Sequence, residues 1–213
     1  LTILILVLRY WLGSHRQREQ WLAEQVRERT LQLERALDEV ERASRIDGLT
    51  AVANRGYFDE HLARSWEKAE AEGTPLGLLM LDLDRFKQLN DTHGHQVGDD
   101  ALRYVAQALV ASVHRSDDLV ARYGGEEFVV LLPGATLESV GQMAEAMRQA
   151  IADLSTQTGV HAMPAMTASA GCASVMPRDG VTAKDLIRAA DNALYRAKRS
   201  GRNRVELASD FGR

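Results

Sequence analysis

The chain has 213 residues, 45% of them hydrophobic and 26% charged, an ordinary globular composition with room for one sizeable core and an appendage. A net charge of −4 and a sequence pI of about 5.9 exclude the basic footprint of a duplex-nucleic-acid binder. The single cysteine, Cys172, excludes an internal disulfide and has no partner for a zinc knuckle; it reads as a small buried residue in a reducing compartment.

Residues 1–13, "LTILILVLRYWLG", carry one charge, Arg9. The run is too short to cross a bilayer, which takes about 20 residues. Tyr10 and Trp11 sit where interfacial aromatics belong, and Arg9, His15, Arg16 and Arg18 follow as a cytoplasmic flank would. The segment is expected to be the end of a transmembrane helix, which would tether the full-length protein to the cell membrane with the part that follows in the cytoplasm. A short interfacial helix is the alternative.

Residues 14–46 hold seven basic and seven acidic side chains and no proline. Val26, Thr30, Leu33, Leu37, Val40 and Ser44 step alternately by four and three, a heptad seam with polar interruptions. This predicts a parallel two-stranded coiled coil, and hence a homodimer, rather than one amphipathic helix lying on a domain.

A separate folded domain is expected over 47–213. "DGLT" reads as a turn, "GYFDEHLARSWEKAEAEG" as a helix and "PLGLLMLDLD" as a strand buried on both faces. "GDDALRYVAQALVASV" reads as an amphipathic helix with Leu102, Val105, Leu109 and Val113 on one face. "DLVARY" and "EFVVLLP" are strands about a turn at Gly124–Gly125. A helix over "LESVGQMAEAMRQAIADL", a strand over "MTASAGCASV", a helix over "TAKDLIRAADNALYRAKRSG" and a strand over "NRVEL" complete an α/β fold with a mixed central sheet.

Three places carry chemistry. Asp82 and Asp84 end the buried strand on one side by its period of two, and their oxygens suit a hard cation. Either aspartate taken singly reads equally well as a cap or turn residue. Glu126 and Glu127 follow the glycines, and a hairpin beside the Asp82 strand would bring them to the same sheet end. Lys198 and Arg202 are four apart, with Gly201 expected to end the helix and turn Arg202 inward; taken by itself, such a pair at a helix C-terminus reads more simply as a complement to the helix dipole. His93 and His95, two apart on a loop, make a poor zinc pattern. Asn90 and Asp99 together offer the donors and acceptors that read a guanine edge.

"DGLTAVANRGYF", "LDLDRFKQLNDTHGHQVGDDAL", "RYGGEEF", "TASAGCA" and "DNALYRAKRSGRNRV" stand in the order and spacing of the GGDEF domain of diguanylate cyclases, which residues 47–207 resemble in the GGEEF variant. The resemblance implies a fold like the nucleotide-cyclase and polymerase-palm core, and an enzyme that condenses two GTP into cyclic di-GMP with release of two pyrophosphates. It implies two Mg²⁺ per active site, with Mn²⁺ as the alternative ion, held by Asp82, the Leu83 carbonyl, Glu126 and Glu127. Glu126 is then the base for the 3′-hydroxyl, and Lys87 stabilises phosphate charge. Asn90, Asp99 and His95 contact the nucleotide, Gly124 and Gly125 give it clearance, and Lys198 and Arg202 grip its β- and γ-phosphates. Arg115 and Asp118, an R-x-x-D pair ahead of the glycines, fall where cyclic di-GMP binds as inhibitor, with Arg148 as a secondary arginine there. Ala51, Val52 and Gly56 depart from the family pattern in the entry turn, away from the chemistry. A silent domain that only binds GTP or cyclic di-GMP is the competing class, but the metal and glycine positions such receptors lose are retained. No nucleic-acid partner is expected.

Overall fold

The computed structural model describes residues 45–157, 164–178 and 180–208, and, within 21–40, Trp21, Glu24, Gln25, Arg27–Thr30, Gln32 and Val40. The chain divides into two units, Leu1–Ser44 and Arg45–Arg213. The described positions of the first unit are helical, and Trp21 and Val40 are exposed on it. The expected membrane-span end, residues 1–13, lies outside the described residues, as do the seam positions Val26, Leu33, Leu37 and Ser44. Among the described residues, no helix is long and apolar enough to cross a membrane.

The second unit runs β1 (Ala53–Asn54), α1 (Arg55–Glu72), β2 (Leu76–Leu83), α2 (Phe86–His93), α3 (His95–Ser112), β3 (Leu119–Gly124), β4 (Glu127–Pro133), α4 (Leu137–Gln157), β5 (Ala168–Val175), α5 (Ala183–Arg199) and β6 (Val205–Leu207). The six strands form one sheet in the order β1-β3-β4-β2-β5-β6. The outer pairs β1–β3 and β5–β6 are parallel and the inner pairs antiparallel, which makes the sheet mixed as expected.

β2 lies at the centre, and every one of its residues is buried. Its odd positions Leu79, Leu81 and Leu83 enter one core with Leu102, Val105 and Leu109 of α3 and Val140, Met147 and Ile151 of α4. Its even positions Leu76, Leu78 and Met80 enter the opposite core with Phe58 and Leu62 of α1 and Leu186, Ala190 and Leu194 of α5. The period of two thus assigns each β2 side chain to one helix layer. At Gly171 of β5 an added Cβ would lie 2.1 Å from Leu194 N and 2.2 Å from Ala190 O, so α5 rests directly on the strand backbone.

Three elements differ from the sequence reading. α2 occupies a stretch after the β2 strand to which the sequence assigns no element, and α3 starts at His95 rather than near Gly98. The break between them is the single residue Gly94, at φ 86°. An eight-residue amphipathic turn of helix is shorter than the window in which periodicity shows. β1, of two residues, was also unread.

Candidate active site

The site is built at the end of β2. Asp82 shares parity with Leu78 and Met80, so it points to the α5 side of the sheet, and it is 7% exposed. Across the two neighbouring strands it registers with Glu127 of β4 and Ser169 of β5. Lys198, in the last turn of α5, reaches down to Asp82, with Nζ 2.7 Å from Oδ2. The close seat of α5 on Gly171 brings this last turn within a lysine's reach of the sheet.

The hairpin turn is displaced by one residue from its expected place. Gly124 ends β3 opposite Glu127, and Gly125–Glu126 make the turn, with Gly125 at φ 48°. A register shift between Arg122 and Gly124 precedes it. Adjacent glutamates therefore occupy different backbone settings, Glu126 in the turn and Glu127 in the strand. Glu126 also accepts a backbone bond from Leu83 N at 3.4 Å. An added Cβ at Gly124 would meet open space, and its φ is not positive. Neither the protein's packing nor its backbone therefore demands glycine there.

Burial pushes the Asp82 carboxyl above its ordinary range; the Lys198 bond and charge oppose this, and the charges of Glu126 and Glu127 add to it. Three carboxylates and a backbone carbonyl at a strand end are the oxygen donors that suit a hard divalent cation. Among the described residues, no three His, Cys, Asp or Glu stand close enough together to form a ligand cluster. Lys198 instead holds Asp82.

Asp84 does not join this group. Its Oδ2 accepts from Thr167 Oγ1 at 2.7 Å and from Asn203 N at 2.9 Å, and its Oδ1 accepts from Ser169 Oγ at 2.6 Å. The carboxylate expected beside Asp82 as a cation ligand is occupied by hydrogen-bond donors from two other segments.

On the α2–α3 side, Asn90 carries a buried Oδ1 with no partner. A Cβ at Gly98 would lie 1.8 Å from that oxygen, so the amide rests where only glycine leaves room. Asp99 is half-buried near the start of α3, while His95 and Lys87 are exposed. A buried amide oxygen without a donor is a group prepared for something else. Arg202 does not share a helical face with Lys198: α5 ends at Arg199, Gly201 has φ 114° and Arg202 itself φ 64°.

Arg115 and Asp118 lie just before β3, whose six residues separate them from Gly124, the far end being about 20 Å away along the strand. Arg115 donates from its backbone N to Asp118 Oδ2 at 3.3 Å and from Nη1 to Pro133 O at 3.1 Å. Arg115 borders a cavity of 480 Å³ with His61, Arg64, Lys68 and Asp117. Asp118 Oδ1 is buried and unpartnered. Arg148, the secondary arginine expected for that site, binds Glu145 at 2.6 Å and Asn203 Oδ1 at 2.7 Å.

Sequence reasoning missed a clamp. Arg122 Nε donates to the Gly125 carbonyl at 2.9 Å, and Nη1 to Asp47 Oδ1 at 3.1 Å. Burial of the Asp47 carboxyl pulls its pKa upward, but bonds from Thr50 and Arg122 outweigh burial and hold it below the usual range. The only signal was an arginine two residues ahead of the glycines, with its acid 75 positions away.

Residues 44–204 match the family described as "Diguanylate cyclase, GGDEF domain". The chain belongs to the GGDEF family. This GGDEF domain is 41% identical over 162 residues to the diguanylate cyclase DosC of Escherichia coli K12, covering 76% of this chain and 35% of that one. It is 40% identical over 161 residues to the response regulator PleD of Caulobacter vibrioides, covering 75% and 35%. The chain thus spans about a third of the length of these relatives. Among solved structures, the coiled coil and GGDEF domain of DgcB from Caulobacter crescentus, in complex with c-di-GMP, superposes with a TM-score of 0.71 at 38% identity, covering 89% of this chain and 98% of that one.

Proposed function

We propose that this chain is a diguanylate cyclase. The observation that carries the reading is Lys198 Nζ at 2.7 Å from Asp82, in register with Glu127: a cation suited to phosphate and two of the carboxylates assigned to the metal lie at one strand end, and a bound ion would have to draw those carboxylates together. Asn90, with its free buried oxygen, and Asp99 supply the guanine-reading edge a short way along α2 and α3. The open space over Gly124 and Gly125 leaves the hairpin backbone accessible to a nucleotide.

Asp82, the Leu83 carbonyl, Glu126 and Glu127 would hold Mg²⁺, or Mn²⁺ in its place. When bound, the ion acidifies the attacking hydroxyl and neutralises phosphate charge. Lys198 and Arg202 bind the β- and γ-phosphates and orient the α-phosphorus, with Lys87 adding charge nearby. Glu126 takes the proton of the 3′-hydroxyl. A bond forms from that oxygen to the α-phosphorus of the second GTP, and the bond from that phosphorus to the bridging oxygen breaks, releasing pyrophosphate. A second, symmetric transfer closes cyclic di-GMP. One domain binds one GTP, so two domains must meet face to face. Val40, a seam position that is 68% exposed in the single chain, supports pairing through the upstream helix, which would raise the domains' effective concentration. The DgcB structure named for a coiled coil and c-di-GMP is in keeping with both the dimer and the product as ligand. Tethering to the membrane by the preceding segment is part of the same proposal.

Purified protein given GTP and Mg²⁺ should form cyclic di-GMP and pyrophosphate in a ratio of one to two. Glu126→Gln should lower turnover by about a hundredfold or more while circular dichroism stays unchanged. Absence of product at every protein concentration would overturn the reading.

A further inference from the structure

After α5, three successive residues have positive φ: Gly201 at 114°, Arg202 at 64° and Asn203 at 45°. Glycine adopts this region freely, but two consecutive side-chain-bearing residues stay there only where surrounding contacts over-determine the backbone. Those contacts come from distant parts of the chain. Asn203 N donates to Asp84 Oδ2 at 2.9 Å, and Arg148 Nη1 donates to Asn203 Oδ1 at 2.7 Å. Arg202 N donates to Ala197 O at 3.0 Å.

Both anchors are themselves fixed. Asp84 is held by the hydroxyls of Thr167 and Ser169 at 2.7 and 2.6 Å, and Arg148 is held by Glu145 at 2.6 and 2.9 Å. The turn is therefore pinned to the end of β2, the start of β5 and the flank of α4 at once. Arg202 lines a 470 Å³ cavity beside Asp84 and Asn203 and makes no ion pair among the described residues. Its direction follows from the strained backbone that carries it.

We propose that Asp84, assisted by Arg148 through Asn203, is a positioning residue that fixes the left-handed turn 201–203 and thereby aims Arg202 at the β- and γ-phosphates of GTP. The inference rests on the assignment of Arg202 to phosphate binding made above. It gives Asp84 a role through hydrogen bonding rather than through charge on a cation.

The test is calorimetric binding of α,β-methylene GTP, which cannot release pyrophosphate, with Mg²⁺ present and GMP as control. Asp84→Ala should weaken analogue binding by about tenfold and leave GMP binding unchanged. Asp84→Asn should restore affinity, because its amide oxygen accepts from Asn203 N and Thr167 while its NH₂ meets the Ser169 hydroxyl. In an Arg202→Ala background, Asp84→Ala should cause no further loss. Loss in Asp84→Asn equal to that in Asp84→Ala would overturn the proposal and make Asp84 a cation ligand. Undiminished additivity with Arg202→Ala would overturn it too. Should Asp84→Ala not fold, Arg148→Ala decides: about threefold weaker analogue binding supports the proposal, and unchanged binding refutes it. An unsubstituted chain that fails to bind the analogue at all would instead remove the cyclase reading beneath it.

Discussion

Gly98 shows how one missing methyl group makes room for a neighbouring side chain. Its place under the Asn90 amide, 1.8 Å from an ideal Cβ, makes Gly98→Ala a way to displace the proposed guanine reader without touching it chemically. The amide lies at the end of a flexible side chain and can swing aside, so the expected cost in stability is small, about 1 kcal/mol. The expected cost in recognition is larger: binding preference for GTP over ATP should fall by about tenfold, read by competition. Unchanged preference would detach Asn90 from base selection. At this scale the residue types of Asp82 and Lys198 were legible in the sequence as candidates, and their meeting at 2.7 Å was not, because it depends on how α5 lies on the sheet. Nor was the setting of Asp84 legible, since its carboxylate is claimed by Thr167, Ser169 and Asn203, 83 to 119 positions away. Two aspartates of one parity look alike until their partners are known.

At the scale of elements, the strands were readable because β2 is buried on both faces and the flanking helices are amphipathic over several turns. α2 escaped notice because eight residues hold too few apolar positions to show a period. The hairpin turn was misplaced by one residue, since either glycine satisfies the conformational need and only the pairing of Gly124 with Glu127 decides. The contact of α5 with β5 leads to a prediction. In Gly171→Ala the new methyl meets backbone atoms, Leu194 N and Ala190 O, which cannot rotate away. α5 must lift or tilt, at a cost of about 1–3 kcal/mol. Because α5 carries Lys198, the Michaelis constant for GTP should rise along with the fall in melting temperature. A destabilised variant with unaltered Michaelis constant would show that the helix seat does not set the phosphate site.

At the scale of the whole molecule, the two proposed nucleotide sites sit at opposite ends of β3. Arg115 and the cavity beside His61, Arg64 and Lys68 are well removed from Glu126, so on the proposed reading product bound there would act through how domains are held apart or together. Arg115→Ala is therefore expected to leave initial turnover unchanged and to raise the cyclic di-GMP concentration for half-inhibition by about tenfold. Equal inhibition in the variant would place the regulatory contact elsewhere. Facing geometry also gives Lys198 a second meaning. The proposed reaction between two nucleotides would require two acidic strand ends to approach one another, each bringing Asp82, Glu126 and Glu127. An ammonium seated on Asp82 cancels one of those charges while no nucleotide is present. On the proposed reading two domains can then meet with less mutual repulsion, and a triphosphate, itself anionic, would have to arrive with the cation that replaces Lys198 as counter-charge to Asp82. On that reading the lysine would ease the encounter before it serves as a hand on the substrate.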